Sequence, residues 1–165
     1  MATDKAVAGA CAGVLSLLRR RWSGVGEARF EVYDTSSFRS PMGWGVSLFV
    51  YALRVDAARR SVPSPRGARR PSLGVECGVL LTPWAPTPSE ALELAGWVLA
   101  TLESSPVIAG EELGAAFASG ESVQVVAAGL GVQEMRDAVA LTGRADLPLS
   151  LAYLVRGFVI EPGAH

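Results

Sequence analysis

The side chains that could carry chemistry are few, and their spacing assembles no centre. His165 is the single histidine and stands at the last position, so a Ser-His-Asp or Cys-His relay would rest on a chain terminus. Cys11 and Cys77 are the only cysteines. Both have apolar neighbours, one in an expected helix and one in an expected strand, which favours buried free thiols over a disulfide or a reactive thiolate. Two cysteines and one histidine do not by themselves make a structural zinc site. Glu111 and Glu112 are adjacent and would not share one helix face. Glu76 is more simply the partner of an arginine, or part of an exposed sheet face, than a perturbed acid. There is no Walker loop and no GxSxG, and Gly24-Val-Gly26 lacks the strand that a dinucleotide fingerprint needs. The expectation is no enzyme, no cofactor and no metal.

Arginine is the residue type that stands out. Arg59, Arg60, Arg66, Arg69 and Arg70 crowd one segment, with Arg54 close by and Pro63, Pro65 and Pro71 stiffening it. Lys5 is the only lysine. The planar guanidinium suits interfaces, because it pairs with carboxylates and carbonyls at lower hydration cost than an ammonium. A nucleic-acid surface would bring more total positive charge and stacking aromatics nearby. The formal net charge is −1 over 165 residues, so a solvated loop or a protein interface is the better reading. A nucleic-acid-binding or adaptor module using loop 59–70 is the alternative. A second segment, 35–44, carries Phe38, Met42 and Trp44 on an expected loop, where large apolar side chains either fold back onto the core or meet a partner.

These segments hang on an expected strand from Gly45 to Val55. Val46, Leu48, Val50 and Ala52 would face one way and Phe49, Tyr51 and Leu53 the other, with Ser47 the only polar interruption. A strand apolar on both faces belongs inside a sheet. The pattern expects it to break at Asp56 into the Arg/Pro-rich loop. Further strands are expected at 29–34, with Phe30 and Val32 on one face, at 73–81, at 122–127 and at 148–160, where Gly157 could mark a bulge. In the strand at 73–81, Gly74 and Gly78 leave room for another element or another chain to approach.

Helices are expected from an Asp4 cap to about Arg20, from the Thr87-Pro-Ser-Glu90 capping box to Glu103, and from Gly131 to Thr142 before Gly143. A short helix is expected around 112–118. The apolar stripe of the first helix is wide enough to serve both the core and a neighbour. Its run from Val7 to Leu18 precedes Arg19-Arg20-Arg21 instead of following it, and at about 12 residues falls short of the ~20 that a membrane span requires. Gly9 and Gly13 form a GxxxG, a weak motif in so short a run. The chain reads as a soluble, intracellular α/β (α+β) protein. Its single domain, 1–165, has a mixed central sheet of about five strands flanked by helices.

Three segments together resemble a known family. They are Val46 to Arg54 followed by Ala-Arg-Arg-Ser61, Arg70 to Trp84, and Leu147 to Arg156, with the helix Glu90–Glu103 and Ser-Ser-Pro-Val-Ile108 falling between in the expected order. In these the chain resembles the tail-terminator, or cap, proteins of extracellular contractile injection systems, which are phage-tail-like particles. It departs from their pattern in the loop Met42–Gly45 and in a short C-terminal tail. The resemblance implies a fold similar to phage tail terminators. It also implies a homohexameric ring ending tube and sheath polymerisation at the end distal to the baseplate. The implied partners are the tube and sheath proteins, with no nucleic acid and no membrane span. Assembly would occur in the bacterial cytoplasm, before the protein becomes part of the finished particle. An assembly interface is then expected at Arg59, Arg60, Arg66, Arg69, Arg70 and Trp44.

Overall fold

The computed structural model describes residues 5–24, 26–61, 72–146 and 148–160, and gives the backbone alone at 57–61. Among these, a six-stranded mixed sheet runs in the order β1-β2-β3-β6-β5-β4. The strands are β1 (Arg29–Val32), β2 (Gly45–Ser61), β3 (Ser72–Trp84), β4 (Val107–Ala109), β5 (Ser122–Ala127) and β6 (Leu151–Ile160). β1 is parallel to β2, and the other neighbours are antiparallel. The helices are α1 (Ala6–Arg21), α2 (Pro88–Ser104) and α3 (Val132–Ala140), with 3-10 turns at Ser37–Arg39 and Gly110–Ala116.

Strand alternation divides the core into two layers. On one face Val46, Leu48, Val75, Cys77, Val79 and Leu81 meet α1 through Val14 and Leu18 and α2 through Leu94, Val98 and Leu102. On the other face Phe49, Leu80 and Ala152 meet Ala138 and Val139 of α3 and the folded-back loop residues Tyr33, Phe38 and Met42. Phe38 and Met42 therefore belong to this second layer of the core, where the Tyr33 hydroxyl accepts the Met42 N–H at 2.8 Å. Ser47 is fully buried, and its hydroxyl accepts the Trp84 indole N–H at 2.9 Å, which offsets the cost of a polar group there.

Local chemistry starts and stops the helices. Thr87 Oγ1 accepts the Glu90 N–H while Glu90 Oε2 accepts the Thr87 N–H, the reciprocal capping box expected at the head of α2. Asp4 lies outside the described residues. Lys5 precedes α1 without a side-chain cap, and Arg19, Arg20 and Arg21 fill the last turn, where the macrodipole favours cations. Gly9 and Gly13 of the GxxxG let α1 approach the 3-10 turn Gly110–Ala116: a Cβ on Gly9 would stand 2.6 Å from that of Ala116. The wide apolar stripe of α1 is covered by the chain's own elements. No helix among the described residues is long and apolar enough to cross a membrane.

Three strand details differ from the sequence pattern. β2 does not break at Asp56; its backbone continues to Ser61, because β3 pairs with it as far as Ser61↔Ser72. The register shifts between Val50 and Ala52, so Tyr51 is an extra residue opposite β3. Such a bulge inverts the alternation beyond it. Leu53 and Val55, opposite Cys77 and Val75, thus share the face of Val46 and Leu48, and Leu53 does not lie with Phe49. On β1, Phe30 is buried but Val32 is 54% exposed, because the strand ends where its cover does. β6 is bulged as expected: Arg156 and Gly157 together oppose Glu76, and Gly157 has φ +96°.

Candidate functional site

Of the residues expected to do assembly work, the described ones are at the two ends of β2: Trp44 just before its start, and Arg59 and Arg60 near its finish. At its start, Gly45 has φ +142°, and a Cβ there would come within 2.0 Å of the Arg29 carbonyl oxygen. That close approach holds β1 against the first turn of the strand. β1 covers β2 only from Gly45 to Leu48. From Val50 to Ser61 the outer edge of β2 has no strand partner among the described residues. Beside this edge Leu53 and Val55 are 59% and 54% exposed. An uncovered edge flanked by apolar side chains is a template for strand addition unless something blocks it.

The middle of the strand is filled from within the chain. The Tyr51 ring lies over Gly78, where a Cβ would meet it at 2.6 Å, so the room left by this glycine is taken by the bulged residue. Glu76 stands 3.8 Å from Arg54 across the ladder, the arginine partner expected for it. Burial pushes the Cys77 thiol up to about 12 and the Cys11 thiol up to about 11. Both are neutral free thiols in the core and not nucleophiles.

At the far end, Arg59 and Arg60 belong to the β2 backbone instead of a loop. The ladder with β3 holds on either side of them, at Asp56↔Gly74 and Ser61↔Ser72, with a register shift between. Arg66, Arg69 and Arg70 lie outside the described residues. The structure does not bring Trp44 to this basic end. Trp44 precedes Gly45, so it lies at the opposite end of the strand, on the order of 45 Å away at the usual rise per residue.

Trp44 instead joins an arrangement that sequence reading missed. Its ring packs edge-on against Trp22 at 6.2 Å between centroids, and Trp22 packs against Trp97 at 4.9 Å. The Trp22 indole N–H donates to the Gly26 carbonyl at 3.1 Å, which fixes the ring after α1 ends. These rings wall a cleft of about 720 Å³, and Glu27, Glu90 and Glu93 rim it. No basic residue lines it among the described residues. The signal was present only in pieces: Trp22 just after α1, Trp44 just before β2, and Trp97 at the side of the α2 core stripe.

The fold has a counterpart among known proteins. The family model described as the Pvc16 N-terminal domain matches residues 11–165. The chain belongs to the Pvc16 N-terminal domain family. Its fold is similar to a cryo-EM structure of the PVC sheath/tube terminator of an extracellular contractile injection system in the extended state, with TM-score 0.62 and 22% identity. The similarity covers 94% of this chain and 56% of that one, so this Pvc16 N-terminal domain spans little more than half of that terminator's length. No curated protein matches the chain.

Proposed function

We propose that this Pvc16 N-terminal domain protein is the cap of a contractile, phage-tail-like particle. Copies close into a six-membered ring on the end of tube and sheath distal to the baseplate and stop both polymers from growing. The observation that carries this reading is a fold similar, over 94% of the chain, to a structure described as a sheath/tube terminator. The work is mechanical and needs no catalytic step. All 165 residues act as one domain, assembling in the bacterial cytoplasm and remaining on the finished particle.

The physical requirements of a cap agree with β2. A ring needs two different patches on each subunit that meet head to tail. A terminator also has to engage the last layer of a polymer, and the edge of β2 from Val50 onward, without a strand partner among the described residues, offers main-chain groups to a strand from sheath or tube protein. Arg59, Arg60, Arg66, Arg69, Arg70 and Trp44 form the assembly surface in this reading. Interfacial arginines that are paired and desolvated are each worth about 2 kcal/mol or more.

Particles made without the chain test the proposal by their lengths in electron micrographs. Loss of uniform length is expected, and an unchanged length distribution would overturn it. Replacing Arg59, Arg60, Arg69 and Arg70 together with Ser is expected to leave a folded protein that no longer caps. Normal capping by that variant would remove these arginines from the assembly surface.

A further inference from the structure

We draw no further inference here: the strongest candidate, the outer edge of β2 from Val50 to Asp56 with Leu53 and Val55 exposed beside it, belongs to the assembly surface already proposed, and nothing in the structure shows what covers it.

Discussion

Up to Leu48, β2 runs between β1 and β3, and Val46, Ser47 and Leu48 are wholly out of solvent. Beyond Tyr51 the same strand keeps β3 but has lost β1, and Leu53 and Val55 are more than half exposed. Val46 and Leu48 are the same residue types as Val55 and Leu53, so residue type alone does not decide their burial. The covering neighbours do: β1 stops at Leu48, shortly before the bulge at Tyr51. One half of the strand belongs to the fold. The other half has no strand on its outer edge among the described residues.

The largest way to break the contrast is to strip the first half of its cover. Gly45→Ala is expected to cost about 4 kcal/mol, because a Cβ in that left-handed conformation collides with the β1 backbone. Urea unfolding measures this, and a cost under about 1 kcal/mol would mean that β1 does not depend on the close approach. Truncating the same residue type in each half sharpens the comparison. Leu48→Ala, in a fully buried site, is expected to cost about 2–5 kcal/mol, while Leu53→Ala should stay below about 1 kcal/mol in the isolated chain. Equal costs would contradict the division of β2.

Smaller effects are expected away from the strand. Thr87→Ala removes the cap of α2, which carries the Trp97 wall of the cleft, and should cost about 1 kcal/mol in the same assay. The smallest effect concerns Asp34, whose carboxylate accepts hydrogen bonds from the Ser36 and Ser37 hydroxyls and the Ser37 N–H and is held at about 2, below its usual 3.8. A lowered value in the folded state means that its contribution is present above pH 3.8 and is lost as pH falls through about 2. The near-ultraviolet signal of the adjacent Tyr33 and Phe38 should follow that acid transition, and Asp34→Asn should remove it.

Much of this was legible in the sequence where the cause is local. The capping box at Thr87, the alternation of Leu73 to Leu81, the two-faced apolar start of β2 and Gly157 as a bulge all report short-range chemistry, and each stands in the fold. What the pattern missed depends on distant neighbours. Asp56-Ala-Ala-Arg-Arg reads as a loop, yet the strand continues through it, paired with β3 at Asp56 and again at Ser61. The bulge at Tyr51 follows from that ring settling over Gly78, a contact across 27 positions of the chain that alternation cannot reveal. β4 has three residues, too few to show a period. The cleft joins tryptophans from three separate elements, so no single stretch announces it. The family likeness was readable because it spreads over widely separated segments whose order is itself information.

The central claim is that the protein sits on one end of a contractile particle, and direct localisation tests it. Particles carrying an affinity tag on this chain, decorated with gold and imaged by electron microscopy, should show label at one end only, opposite the baseplate. Label along the sheath, label at the baseplate, or none on intact particles that retain tube and sheath would contradict the account.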